Sequence, residues 1–348
     1  MARVNDKVIA MHDIPSYVLC RRAFDTDKLV KDFPPRLQDR NKQIVYRLAC
    51  PPGCRHGGQL MFSRWRKMPL PRTVPAGGRQ TKFEAREDVF GYEPLPDGNS
   101  KVEWYLNFAD SHLFCAYGGP LFAQDEMQVA EHPALGSLRE ALVRSDLKPL
   151  TTEDNQPTPV LVKGVERRCA IATEPNANEG RLLGLYGNHF ARASPDAIER
   201  ATRPIHPPTL SNLIAMAAPS YGQRAYSLEE IEYILATAFT GFTATRFESA
   251  PENSSTSAEV VVHTGFWGCG AFGGNRVLMT LLQLLAAGLS QIDHLVFHTH
   301  LPAGSAAFQQ AREILHDDIF RQGHPVEVAS LLKQIQEMRF QWGVSDGN

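Results

Sequence analysis

Five glycines fall within ten residues, Gly265, Gly268, Gly270, Gly273 and Gly274, between an apolar run and a helical stretch. Before them, Val260 to Val262 are three consecutive β-branched residues, which suits a strand buried on both faces. Behind them Val277, Leu278, Leu281, Leu282, Leu285 and Leu289 recur at helical spacing. His294 to Leu301 then supplies a second short apolar strand, so the pattern predicts a βαβ unit. Glycine lacks Cβ, so its backbone can take positive φ and come close to a ligand. Consecutive N–H groups backed by a helix N-terminus make a site for a diphosphate.

Three readings fit such a loop. Gly268, Gly270 and Gly273 spell G-x-G-x-x-G between strand and helix, the dinucleotide fingerprint. That fingerprint wants an acidic residue at the end of the second strand, where this chain has His298, Thr299 and His300. Asp293 precedes that strand, and too little chain follows to complete a doubly wound sheet. A turn without a ligand is the second reading, but five glycines cost conformational entropy unless something requires them. The third is a diphosphate loop of another fold.

The stretch Thr264-Gly265-Phe266-Trp267-Gly268-Cys269-Gly270-Ala271-Phe272-Gly273-Gly274 resembles the diphosphate loop of poly(ADP-ribose) glycohydrolases. The resemblance implies a macrodomain, a three-layer α/β/α fold with a mixed sheet that binds ADP-ribose. Phe266 stands where the family usually has Asn.

A chain of 348 residues can bury a large core, with 43% hydrophobic and 21% charged residues as in ordinary globular proteins. No apolar run reaches membrane-spanning length, and Arg3, Asp6 and Lys7 are not followed by a signal-peptide core. Six scattered cysteines do not form a disulfide pattern, so an intracellular, reducing compartment is expected. Net charge is −2, yet residues 1–100 hold 18 Lys/Arg against 11 Asp/Glu. That basic portion suits either an acidic or phosphate-rich partner or a simply solvated surface.

Residues 1–100 read as a basic, partly helical N-terminal extension, 101–325 as the catalytic domain and 326–348 as a closing helix and tail. Val18 to Leu29 and Lys42 to Ala49 have helical character, divided by Pro34-Pro35. Cys50, Cys54 and His56 offer three potential metal ligands. No second pair follows at zinc-finger spacing, and Pro51, Pro52 and Gly53 predict a structural turn, so no metal is assigned. Pro69 to Gly98 reads as a surface connection. Strands are expected at Trp104–Ala109, Val160–Lys163, Ala170–Thr173 and Asn212–Ala217, and helices at Leu135–Val143, Ala306–Phe320 and Val326–Phe340. Ser227 should cap a helix bearing Ile231, Ile234, Leu235, Ala238 and Phe242. Asn253 to Ser257 should be a loop. His263, His298 and His300 lack acids or thiols at ligand spacing and read as satisfied or pocket-lining histidines, the last two on one strand face.

Hydrolysis needs more than a diphosphate loop, and Gln124-Asp125-Glu126 supplies adjacent acids in an apolar stretch. A partly desolvated carboxylic acid there could protonate a departing group, and a carboxylate could stabilise an oxocarbenium-like state. On extended backbone the two acids would point in opposite directions and do different jobs. From the triplet alone, a pair of solvated loop acids is the simpler reading.

The resemblance extends to this stretch, since poly(ADP-ribose) glycohydrolases carry three glycines followed closely by Gln-Glu-Glu. Here Gly118-Gly119-Pro120 precedes Gln124-Asp125-Glu126, with a shorter interval, Pro for the third glycine and Asp for the first Glu. The match implies that Glu126 is the catalytic acid and Asp125 its partner, with Gly118, Gly119 and Gln124 at the ligand. Asn107-Phe108-Ala109-Asp110 resembles the family's Asp-Phe-Ala-Asn stretch beside the adenosine, which implies a ligand contact for Asp110. Gly184 to Phe190 is similar to a segment whose Tyr, here Tyr186, lines the ribose pocket. The departures resemble the MavL-type branch, which removes ADP-ribose from an arginine of ubiquitin. The chain is therefore expected to be a hydrolase without a cofactor, acting on an ADP-ribosylated protein such as ubiquitin. Digestion of poly(ADP-ribose) and non-catalytic ADP-ribose binding are the alternatives, and neither a membrane nor a nucleic acid is expected as partner.

Overall fold

The strand Lys101–Ala109 sorts its side chains by parity. Trp104 and Leu106 enter one apolar cluster, Tyr105 and Ala109 another on the opposite face. A strand whose two faces are both covered belongs inside a layered α/β domain. The computed structural model describes residues 13–74, 81–92, 101–250, 258–319 and 326–347.

The chain begins β1 (Val18–Asp25), α1 (Thr26–Asp32), α2 (Arg40–Ala49), β2 (Gln59–Trp65), β3 (Lys82–Arg86), β4 (Lys101–Ala109). It continues α3 (Gln124–Glu131), α4 (Ala134–Val143), β5 (Thr152–Glu153), β6 (Gln156–Pro157), β7 (Val160–Ile171). Next come α5 (His189–Arg192), α6 (Pro195–Ala201), β8 (Thr202–Ala217), α7 (Leu228–Ser249) and β9 (Glu259–Thr264). The last elements are α8 (Arg276–Ser290), β10 (His294–His298), α9 (Pro302–Glu313) and α10 (Val328–Glu337). Eight strands form one mixed sheet in the order β1-β2-β7-β8-β4-β9-β10-β3. The pairs β8–β4, β4–β9, β9–β10 and β10–β3 are parallel, and the other three are antiparallel. Helices α7 to α10 pack on one face, and α1, α3 and α4 on the other. The expected three-layer α/β/α architecture is what forms.

The predicted βαβ unit is β9-α8-β10, with Val260, Val261 and Val262 all buried. Ser227 caps α7 through a reciprocal box with Glu230, and the stripe from Ile231 to Phe242 is buried as expected.

Other expectations give way to tertiary pairing. The sheet crosses the boundary drawn at residue 100, because β1, β2 and β3 all come from the stretch read as an extension. Val18 to Asp25 is an edge strand, not a helix, held by a ladder from Val18↔Trp65 to Asp25↔Gln59. The two short strands expected at 160–163 and 170–173 are one strand, β7, interrupted by bulges against β8. Val328, Leu331, Leu332 and Ile335 of α10 join the cluster that holds α7, so the closing helix belongs to the main core. Past α9, residues 314–319 wind more loosely, as a π-helix. The loop expected at 253–257 and the stretches 75–80 and 93–98 lie outside the described residues.

Candidate active site

Four neighbouring strands, β8, β4, β9 and β10, run parallel and so end at the same edge of the sheet. Loops at the carboxyl ends of such strands are where an α/β sheet offers a binding crevice. Asp110 follows β4, Ala218 follows β8 and the glycine loop follows β9.

The acids Asp125 and Glu126 do not lie on extended backbone. They occupy the first turn of α3, about 100° apart around the helix axis, so adjacency still gives them different surroundings. Gln124 docks that turn on β4: its Oε1 accepts the Phe108 N–H at 2.8 Å and its Nε2 donates to the Leu106 carbonyl at 2.9 Å. Both ends of the amide are thereby used on the strand. Asn107 Nδ2 donates to Asp125 Oδ1 at 3.0 Å and to Gln128 Oε1 at 2.9 Å. Glu126 Oε2 accepts the Ala123 N–H at 3.0 Å and closes the helix terminus.

Both carboxyls are almost fully buried, Asp125 at 7% and Glu126 at 3% exposure. Burial pushes the Asp125 carboxyl up to about 8, and the Glu126 charge adds to the rise. Burial also raises Glu126, opposed chiefly by the Lys42 ammonium. Lys42, on α2, is buried in turn and brought down to about 8, with Glu126 and Asp125 holding it up against that burial. The result is a desolvated acid pair beside one ammonium, with a proton available near neutral pH.

Gly118 lies behind this turn for packing reasons. A Cβ there would come within 2.3 Å of the Arg36 carbonyl oxygen, while the Gly118 carbonyl accepts the Gln38 and Asp39 N–H groups. Gly119 N–H closes a turn onto the Ala116 carbonyl at 3.0 Å.

The glycine loop splits into an inner and an outer part. Thr264 is fully buried and hydrogen-bonds Gln283 of α8, and the Gly265 carbonyl accepts from Gln283 Nε2 at 3.1 Å. Gly268 takes φ +73°, and Gly274 lies so close beneath it that a Cβ would stand 2.6 Å from the Gly268 carbonyl oxygen. Cys269 is half-buried, its thiol pushed up to about 12 by burial. Asn275 then caps α8 by accepting the Leu278 N–H at 3.1 Å. The outer residues, Gly270, Ala271, Phe272 and Gly273, meet the chain's own C-terminal segment. Gly343 N–H donates to the Gly273 carbonyl at 2.8 Å and Asp346 N–H to the Gly270 carbonyl at 3.4 Å. A Cβ on Gly270 would sit 3.0 Å from Asp346 Oδ2.

Beside the loop opens a cleft of about 840 Å³, lined among others by Asp110, Ala218, Arg224, Tyr233, Phe272 and Trp342. Asp110 Oδ1 accepts the Ser111 hydroxyl and the His112 N–H, both at 3.0 Å, and its side chain stays 45% exposed. Tyr186, 41% exposed as a residue, lies within electrostatic reach of carboxylates from both parts. Its hydroxyl is pushed up to about 12, first by burial and then by the carboxylates of Asp346 and Glu126.

His298 is satisfied at both ring nitrogens, as expected, whereas His263 is satisfied at Nδ1 alone, its buried Nε2 standing 3.7 Å from Glu103 Oε2 without a hydrogen bond. His263 Nδ1 meets His298 Nε2 at 3.0 Å, and His298 Nδ1 meets Asp88 Oδ1 at 2.6 Å. His300 does not share their face, because β10 ends at His298 and His300 turns out at φ +63°.

Lys42 and Asn107 adjoin the acid pair and Asp346 adjoins the glycine loop, and sequence reasoning singled out none of them. Asn107 lies within a quoted stretch, but nothing local distinguishes it. Lys42 and Asp346 reach the site from 84 residues before Glu126 and 76 after Gly270, a distance no spacing rule spans.

Residues 177–304, which include the glycine loop, match the sequence model of the family described as poly(ADP-ribose) glycohydrolase (PARG), macro domain fold. The family resemblance read from the loop is met over that segment. No curated protein matches the chain. Among solved structures, the chain is similar to poly(ADP-ribose) glycohydrolase from Thermomonospora curvata at 16% identity. That alignment covers 86% of this chain and 88% of the other, with TM-score 0.45. The Deinococcus radiodurans enzyme in complex with ADP-ribose aligns at 15% identity over 89% and 99%, TM-score 0.40. A macrodomain from Oceanobacillus iheyensis aligns at 10% identity over 63% and 89%, TM-score 0.36.

Proposed function

From a chain that carries the poly(ADP-ribose) glycohydrolase macro fold over residues 177–304, we propose an ADP-ribosyl hydrolase acting at the ribose anomeric carbon. The observation that carries this reading is the buried acid pair Asp125 and Glu126, held in the first turn of α3 beside the carboxyl end of β4. A reader of ADP-ribose needs the glycine loop but gains nothing from two carboxylates kept out of water at a cost in stability.

In this proposal the outer N–H groups of the glycine loop hold the diphosphate, and the cleft beside Asp110 and Phe272 takes the adenosine. Glu126 protonates the leaving group, and a carboxylate in the pair stabilises positive charge growing on the ribose. Removal of single ADP-ribose units from protein is favoured over polymer digestion. Asp110 is a carboxylate that a guanidinium could meet, and Asp125 an acid that a guanidinium would help to ionise, which suits an arginine linkage such as that on ubiquitin.

Incubation with proteins ADP-ribosylated through arginine, serine, glutamate or polymer linkages, scoring free ADP-ribose, tests the reading. Release from the arginine-linked protein is the expected result. Release from the polymer alone would transfer the assignment to a poly(ADP-ribose) glycohydrolase. Binding of ADP-ribose with no release from any substrate would leave a non-catalytic module.

A further inference from the structure

The sequence Cys50-Pro-Pro-Gly-Cys54-Arg-His56 forms the predicted turn, with the Cys54 N–H donating to the Pro51 carbonyl at 3.0 Å. The turn also does something its sequence does not announce. It brings Cys50 Sγ, Cys54 Sγ and a ring nitrogen of His56 within 4.8 Å of one another. Cys50 and His56 are buried, at 9% and 7% exposure, and both cysteines are free thiols.

The orientation of His56 is fixed from behind. Its Nδ1 lies 2.9 Å from Glu166 Oε2, and that carboxylate also accepts the Gly57 N–H at 2.8 Å and Arg168 Nε at 2.9 Å. With Nδ1–H donated to Glu166, the Nε2 lone pair faces Cys50 Sγ at 3.9 Å. A carboxylate behind one imidazole nitrogen, with thiols before the other, is the arrangement that orients a metal-ligating histidine.

We propose that Cys50, Cys54 and His56 bind one zinc ion. Zinc sits about 2.3 Å from sulfur and about 2.0 Å from imidazole nitrogen, so tetrahedral edges run roughly 3.5–3.8 Å. The observed 3.9 Å edge is nearly there, and the ceiling of 4.8 Å leaves side-chain adjustments of about an ångström. Three intervening residues between the cysteines fall within zinc-ligand spacing. Two thiolates and an imidazole select zinc over the hard cations magnesium and calcium. On binding, the two thiols release their protons to solvent, the ion gains two Zn–S bonds and one Zn–N bond, and water fills the fourth position.

The placement gives the ion a structural role. Cys50 caps the C-terminus of α2, the helix whose first turn carries Lys42 to the acid pair, and His56 leads into β2. The metal would tie the end of that helix to β7 through Glu166 and so hold Lys42 in place.

Purified full-length protein without an affinity tag should contain one zinc per chain by elemental analysis. Replacing it with Co²⁺ should give the thiolate-to-cobalt charge-transfer band and the visible bands of a tetrahedral site. Cys54→Ala should abolish both, Cys115→Ser should change neither, and Glu166→Gln should weaken zinc binding about 10–100-fold. The wild-type chain gives a readout free of folding losses, since zinc should shield Cys50 and Cys54, and not Cys115, from alkylation. Protein that binds no zinc and shows no such band, or a Cys50–Cys54 disulfide that forms without metal, would overturn the proposal.

Discussion

The glycine loop and the acid turn are the two halves of the proposed site, and they are built on opposite principles. The loop's chemistry lies in its backbone, so its residue types are dictated locally. Gly268 and Gly273 hold positive φ, and a Cβ on Gly274 would strike the Gly268 carbonyl. The acid turn's chemistry lies in its environment. Asp125 and Glu126 are ordinary residues until burial raises both carboxyls, and that burial is assembled from α2, α3 and β4. A backbone site can be recognised from its own sequence, whereas a desolvated site cannot.

The sharpest way to break this contrast is to remove one proton. Glu126→Gln keeps shape and hydrogen bonding but cannot donate at neutral pH, so turnover should fall roughly 10²–10⁴-fold. Calorimetry should show ADP-ribose binding nearly unchanged, because the loop proposed to hold the diphosphate is untouched. A variant that keeps its turnover would refute the assignment of Glu126 as the acid.

The reciprocal change strikes the loop. Gly270→Glu sets a carboxylate where the diphosphate is proposed to lie, and like charges in an interface cost several kcal/mol. ADP-ribose binding should be lost while the fold, followed by thermal unfolding, survives, since Gly270 is only half-buried. Equal losses of binding from Gly270→Glu and Glu126→Gln would erase the division between a binding half and a chemical half.

A smaller effect tests how the acid turn is tuned. Lys42 lowers the pKa of both acids, so Lys42→Met should raise both further. If the protonated acid is the working form, the fall in rate with rising pH should move to higher pH in the variant. A pH–rate profile that does not move, or moves to lower pH, would show that the ammonium acts otherwise. Stability carries the same signature with its own sign. Asp125 is raised from 3.8 to about 8, so the folded state holds a proton there that the unfolded chain has released. Its contribution is therefore greatest below the ordinary carboxylate range and is lost as pH rises toward about 8.

How far the sequence could be read follows from the same contrast. The βαβ unit, the Ser227 cap and the stripe from Ile231 to Phe242 depend on neighbours a few residues away, and they formed as expected. Val18 to Asp25 looked helical because its pairing with β2 lies about 40 residues downstream. Asp125 and Glu126 looked like loop acids because the docking of Gln124 on β4 is a long-range event. Cys50, Cys54 and His56 read as a turn and form one, but the buried carboxylate behind His56 could not be read, because Glu166 is 110 residues away.

The smallest effect concerns the segment that connects the halves. Trp342 stacks on Tyr226 with ring centroids 4.2 Å apart, and from there the chain runs over the outer glycines to Asp346. The Asp346 carboxylate thus lies beside Gly270, where the diphosphate is proposed to bind. A bound diphosphate must displace or repel it. Asp346→Ala should therefore tighten ADP-ribose binding, by about two- to fivefold because an exposed charge is well screened. Raising the salt concentration should narrow the gap between variant and wild type, since the effect is electrostatic. Asp346→Asn should match Asp346→Ala if charge is the cause, and should match wild type if the segment acts by covering the loop. Weaker binding by the alanine variant would show instead that the C-terminal segment helps to build the diphosphate site.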